Sequence, residues 1–83
     1  MENSPLILEE IEVYLDGSKL CFINNNTVEE GMIIIGTESR GGGESYDYVS
    51  HIEPLHEMEA EREELYEAFF ESNWDLLTSA KQI

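Results

Sequence analysis

Glu10-Ile11-Glu12-Val13-Tyr14-Leu15-Asp16-Gly17-Ser18-Lys19-Leu20-Cys21-Phe22-Ile23 is the stretch that decides the fold. Its first four residues alternate acid and apolar, the period of a strand buried on one face. On that reading Ile11, Val13 and Leu15 face a core, while Glu10, Glu12 and Tyr14 face outward. Asp16-Gly17 is a tight-turn signal, because glycine takes the positive φ that two-residue hairpins demand. The returning strand is Lys19 to Ile23, with Leu20 and Phe22 on one face and Cys21 and Ile23 on the other. Asn24-Asn25-Asn26 then ends the ladder, since asparagine favours turns.

From this hairpin the reading extends toward the C-terminus. Thr27-Val28-Glu29-Glu30 has the form of a capping box, but Gly31 follows too soon for a helix, so a turn is expected. Met32 to Thr37 is a third strand, apolar on both faces through Ile33, Ile34 and Ile35. Glu38 to Ser45, with Gly41-Gly42-Gly43 inside it, reads as a flexible loop. Tyr46 to Ile52 is a fourth strand, with Tyr46, Tyr48 and Ser50 on one face and Asp47, Val49 and His51 on the other. Pro54 suits a first helical turn, and from Leu55 the period changes to about 3.6. Leu55, Met58, Leu65, Phe69 and Leu76 fall near one stripe, joined by Tyr66, Phe70, Trp74 and Leu77. Neither Gly nor Pro appears after Pro54, so a helix is expected over about 55–72. A break at Ser72-Asn73 and a second helical piece over 74–80 complete it. The prediction is one α+β domain spanning 1–83. A four-stranded antiparallel meander occupies 10–52, and the helical segment 55–80 packs on one of its faces. Closure of a strongly bent sheet into a small barrel is the alternative. Residues 1–5 and 82–83 read as frayed ends.

Composition excludes several classes of function. The chain has 83 residues, 41% hydrophobic and 28% charged, which is a globular balance. Nineteen acids face four bases, for a formal net charge of -15. Direct binding to nucleic acid or to an anionic membrane needs clustered Lys and Arg, which this chain lacks. The longest purely apolar run, Met32 to Ile35, is far short of a membrane span. No basic leader segment is visible, and one cysteine cannot form an internal disulfide. A reduced, cytoplasmic setting is expected.

Catalytic chemistry finds few candidates. Cys21 lies mid-strand between Leu20 and Phe22 and reads as a buried, inert thiol. His51, Glu53, His56 and Glu57 have ligand-like spacing, but Pro54 separates a strand end from a helix start and turns the two rings apart. Arg40-Gly41-Gly42-Gly43 lacks the lysine and the strand-to-helix setting of a phosphate loop. No enzyme activity, metal or cofactor is expected.

The acids are patterned. Residues 53–75 hold nine of them and one base, Arg62. Glu59, Glu63, Glu67 and Glu71 stand at i, i+4 spacing, and Glu53, Glu57, Glu61 and Glu64 make a second row. Like charges at such positions destabilise a helix by a few tenths of a kcal/mol per pair. At ~1.5 Å per residue, the carboxylates of Glu57 to Glu71 are spaced about one per 3 Å, near the phosphate spacing of a DNA strand. In size, charge and composition the chain resembles small phage-encoded DNA-mimic inhibitors, the anti-restriction, anti-CRISPR and uracil-glycosylase inhibitor proteins. No motif of theirs is present, so no residue roles carry over. The resemblance implies a decoy that blocks the basic site of a nucleic-acid-binding protein. Its contact residues would be Glu57, Glu59, Glu61, Glu63, Glu64, Glu67 and Glu71, with Phe70, Trp74, Tyr46 and Tyr48 as aromatic anchors. Leu65 and Phe69 read as core. The competing expectation is an adaptor or assembly subunit that uses the aromatic patch and a sheet edge, with a second copy of the chain as one candidate partner.

Overall fold

The structure, a computed structural model, describes residues 7–83. The fraying expected of residues 1–5 lies outside that range. After a 3-10 turn at Leu8–Glu10 come strands β1 (Ile11–Asp16), β2 (Lys19–Asn24), β3 (Glu29–Gly41) and β4 (Glu44–Pro54). Helices α1 (Ala60–Ser72) and α2 (Trp74–Thr78) follow, then a two-residue strand β5 (Lys81–Gln82). Among the described residues the strands form one open, mixed sheet in the order β4-β3-β2-β1-β5. The α+β class and the meander of the first four strands are as the sequence implies. Two expectations are corrected. The sheet has a fifth strand, parallel to β1 through Tyr14↔Lys81 and Leu15↔Gln82, where a frayed end was expected. The sheet also does not close into a barrel.

The register of the first hairpin sets Val13 and Leu15 beside apolar partners and Ile11 beside the buried Asn24. Ile11 pairs with Asn24, Val13 with Phe22 and Leu15 with Leu20. Asp16 pairs with Lys19, so the two turn residues are Gly17 and Ser18. Gly17 has φ of 67°. A positive φ at the first central position is the geometry that follows the right-handed strand twist. The turn after β2 is held by Asn24, whose Oδ1 accepts from the Asn26 amide at 2.9 Å.

β3 and β4 make a hairpin much longer than expected. Its ladder reaches Gly41↔Glu44, leaving only Gly42-Gly43 as the turn, both at positive φ. The expected loop over 38–45 is therefore mostly paired strand. β2 pairs with β3 only up to Met32, so the distal part of the hairpin projects as a two-stranded arm. The molecule is accordingly long, 51 × 28 × 20 Å. Cross-strand pairs hold the arm. Thr37 donates to Asp47 at 2.9 Å, and the Tyr46 hydroxyl donates to Glu38 at 3.3 Å. The Arg40 guanidinium sits 4.5 Å from the Tyr46 ring centroid. The Tyr48 ring lies over Gly36, where a side chain would collide with it.

A bulge resets the faces of β4. Ile34 pairs with His51 and Ile35 with Val49, leaving Ser50 unpaired. The extra residue shifts the two-residue alternation. Val49 and Ile52 both turn toward the core, and His51 shares a face with Tyr48, contrary to uninterrupted alternation.

The core is Ile11, Phe22, Ile33, Ile52, Tyr66, Phe70 and Leu77, packed between α1, α2 and one sheet face. Phe22 is its centre, with ring centroids 4.9 Å from Tyr66 and 5.1 Å from Phe70. Helix α1 starts at Ala60, five residues later than expected, because Pro54 ends β4 and the Leu55 amide donates to the Glu30 carbonyl at 2.8 Å. The buried stripe is also rotated from the one expected. Tyr66 and Phe70 are inside, while Leu55, Leu65 and Leu76 are 62%, 49% and 38% exposed. Leu65 is thus corrected from core to surface.

Candidate functional site

The polar contacts of α1 explain the rotation. Arg62 clasps the Glu29 carboxylate with two bonds, Nε–Oε2 at 2.6 Å and Nη2–Oε1 at 2.7 Å. The Tyr66 hydroxyl donates to Glu29 Oε1 at 2.6 Å and accepts from Asn24 Nδ2 at 3.1 Å. Thr27 adds a third side-chain donor to Glu29 at 3.1 Å. Arg62, Tyr66 and Phe70 stand at i, i+4, so the arc that buries Tyr66 and Phe70 also brings Arg62 to Glu29. The arc centred on Leu65 would leave this network unmade. Hydrogen bonding by the Arg62 guanidinium, with lesser help from Tyr66 and Thr27, holds the Glu29 carboxyl below its ordinary value despite burial. Burial, and then the bond to Glu29, raise the Tyr66 phenol.

The glutamates of the two rows separate in space, though not row by row. Glu67 and Glu71 turn toward the outer edge of β4. Glu71 Oε1 accepts from the Val49 amide at 2.7 Å, and Glu67 Oε2 accepts from the Ile52 amide at 3.4 Å. An edge strand otherwise presents unpaired amides to any passing strand. These carboxylates are thus engaged within the fold, and part of the like-charge penalty of their row is offset by these bonds. Glu63 in the same row is half-buried. Glu57, Glu59, Glu61 and Glu64 are exposed. Leu65 and Ala68 are exposed on α1, one turn after Glu61 and Glu64 respectively. The exposed leucine was missed in the sequence because its spacing also fits a buried stripe.

The aromatic candidates also separate. Phe70 is 0% exposed and is corrected from candidate contact to core. Trp74 is half-buried, at the start of α2. Tyr46 and Tyr48 lie on the projecting arm with ring centroids 6.1 Å apart, and Tyr46 is 39% exposed. The negative charge of Glu38 raises the Tyr46 phenol above its ordinary value. Tyr46 and Trp74 both line an open hollow between the arm and α2.

The sheet face away from α1 carries Tyr14, Cys21, Ile23, Met32 and Ile34, and among the described residues no helix lies over it. A shallow hollow of about 360 Å³ opens there, lined by Tyr14, Cys21, Met32, Pro54 and Leu55, with Asp16, Glu30 and Glu53 also in its wall. Cys21 is buried, and burial raises its thiol, which disfavours the thiolate. His51 sits on this face with Nε2 3.4 Å from Glu53 and Nδ1 3.0 Å from the Ser50 hydroxyl. Among the described residues no group of three or more His, Cys, Asp and Glu is arranged to hold a metal ion. Among them, too, no helix is long and apolar enough to cross a membrane. Comparison of the chain with protein-family models, with curated proteins and with solved structures gave no match.

Proposed function

We propose that the protein is a non-catalytic inhibitor or decoy that occupies the basic site of a nucleic-acid-binding protein or enzyme. The observation that carries this reading is the exposure of Glu57, Glu59, Glu61 and Glu64, with Leu65 exposed one turn after Glu61, on a chain of net charge -15. The one base of the helical segment, Arg62, is turned inward onto Glu29 and does not neutralise that group. Exposed carboxylates steer a basic partner, and Leu65 offers apolar area beside Glu61. The mechanism is occupancy without turnover.

The test is capture from host lysate by the immobilised protein at about 50 and 500 mM salt, with and without competing duplex DNA. The expected outcome is retention of a nucleic-acid-binding protein at low salt and its release by salt or DNA. The Glu57→Gln/Glu61→Gln/Glu64→Gln variant should lose it. Capture indifferent to salt, DNA and these substitutions overturns the reading.

One observation favours the adaptor reading. The sheet face away from α1, which no helix among the described residues covers and where Ile23, Met32 and Ile34 are half-buried, is the apolar surface such a protein would use. Phe70 and the β4 edge near Val49 and Ile52 no longer belong to it. Ile34→Lys would then abolish partner binding, while the glutamate variant would leave it intact.

A further inference from the structure

The hollow between the arm and α2 has a volume of about 480 Å³. Trp74 and Leu77 from α2 and Ile35 from β3 supply aromatic and apolar wall. Tyr46 and Asp47 from β4 and Asp75 from α2 complete the rim. None of its lining residues is a base. The volume lies at the low end of the range for small-ligand sites, ~300–1,000 Å³, and suits one long side chain.

The chemistry selects the occupant. A purely apolar group would strip water from Asp47 and Asp75 and give nothing back. An anion meets two carboxylates on a chain of charge -15, and a second copy of the chain brings another -15. A cation on an alkyl stem satisfies every wall. The stem lies on Ile35 and Leu77, and the charged head meets the indole face and the carboxylates. Guanidinium fits better than ammonium, because it is planar, stacks on indole and forks onto two acceptors. Asp47 is already oriented by its bond from Thr37. One guanidinium, that of Arg40, already stands on Tyr46, so the incoming head is taken by Trp74. We propose that this hollow is an anchor socket for an arginine side chain projected by a basic protein partner. The socket deepens the function proposed above, and rests on that reading only in taking the partner to be a protein.

Trp74 is the one tryptophan of the chain and reports on the socket directly. The probes are the blocked peptide Gly-Ser-Arg-Ser-Gly and its citrulline counterpart, which has nearly the same shape and no charge. Both are titrated onto the purified full chain while Trp74 fluorescence and its indole N–H resonance are followed. The arginine peptide should give a saturable change with about 5-fold or greater preference over citrulline, as a desolvated cation–π contact implies. Asp47→Asn/Asp75→Asn should weaken it about 5-fold, with circular dichroism unchanged. Glu57→Gln/Glu61→Gln/Glu64→Gln, which removes more charge elsewhere, should change it less than about 2-fold. Equal binding of the two peptides, no saturable change, or an equal loss in the Glu57→Gln/Glu61→Gln/Glu64→Gln variant overturns the socket. The peptide titration does not involve the captured partner, so it fails or succeeds apart from the salt and DNA test of the decoy reading.

Discussion

Glu29 is the residue on which sheet and helix agree. Its carboxylate takes the Arg62 guanidinium, the Tyr66 hydroxyl and the Thr27 hydroxyl, and through Tyr66 it reaches Asn24. Glu29→Gln removes the charge and leaves a half-buried guanidinium, at a cost of about 1.5–3 kcal/mol. The sign of the pH dependence follows from the lowered carboxyl. A carboxylate lowered by folding contributes stability that is complete above its unfolded-state value, and that is lost as pH falls through the folded one. The gap in urea midpoint between wild type and Glu29→Gln should be full at neutral pH and close below about pH 4. A gap independent of pH would show that the ion pair is not its source. Val28 is a second informative residue. It is 67% exposed with φ of 58°, a left-handed conformation that β-branched residues resist. Val28→Asn should raise stability by about 1 kcal/mol, seen as a higher urea midpoint. Gly31 is the reverse case. A methyl there would stand 2.5 Å from the Glu53 carbonyl oxygen and 2.8 Å from Pro54 Cα, both backbone. Gly31→Ala should destabilise by about 1–3 kcal/mol, because two strands must part to admit it.

At the scale of elements, Glu67 and Glu71 link the charge of α1 to the protection of the β4 edge. Glu71→Ala should speed hydrogen exchange at the Val49 amide by about 10-fold, the equivalent of one lost charge-assisted bond. Glu71→Gln, which keeps an acceptor, should change it much less; equal effects from the two would mean that the carboxylate does not guard the edge. This role was not legible in the sequence. The i, i+4 spacing showed that the row carries a helix penalty, but only the packing of α1 along β4 shows what offsets it. Other elements divide in the same way. β1 and β2 were legible because alternation and the Asp16-Gly17 signal are local. The arm over 38–45 was not, since its pairs are polar and Gly42-Gly43 is a turn that looks like part of a long loop. The bulge at Ser50 leaves no local signal, so uninterrupted alternation puts His51 on the wrong face. The stripe of α1 was ambiguous between Leu65 and Phe70. The choice is made by Arg62 and Tyr66 finding Glu29, a contact across 33 and 37 residues of chain.

At the scale of the whole molecule, the class of fold followed from the change of period at Pro54, while the strand order did not. β5 joins beside β1 only because α1 and α2 return the chain across the sheet, and Lys81–Gln82 carries no strand pattern of its own. The candidate surfaces follow the same division. The exposed glutamates were legible as an acidic segment. The hollow that Asp47 and Trp74 line depends on how the arm stands beside α2. Net charge is the property that all scales share, and it acts through distance. At about 20 mM salt the Debye length is roughly 20 Å, close to the shorter dimensions of 28 and 20 Å, so carboxylates on opposite sides of the fold still act on one another. Fifteen uncompensated charges therefore repel across the fold and destabilise it. Sodium chloride screens this repulsion well. It weakens the half-buried Arg62–Glu29 pair less, so the net effect of salt is stabilising. Raising sodium chloride from about 20 to 500 mM should add about 1 kcal/mol, a rise in Tm of roughly 5 °C for a domain of this size. Glu57→Gln/Glu61→Gln/Glu64→Gln should start from a higher Tm at low salt and respond less. A Tm that stays flat or falls with salt would mean that local pairs outweigh self-repulsion. The exposed acids would then carry no stability penalty for partner binding to relieve.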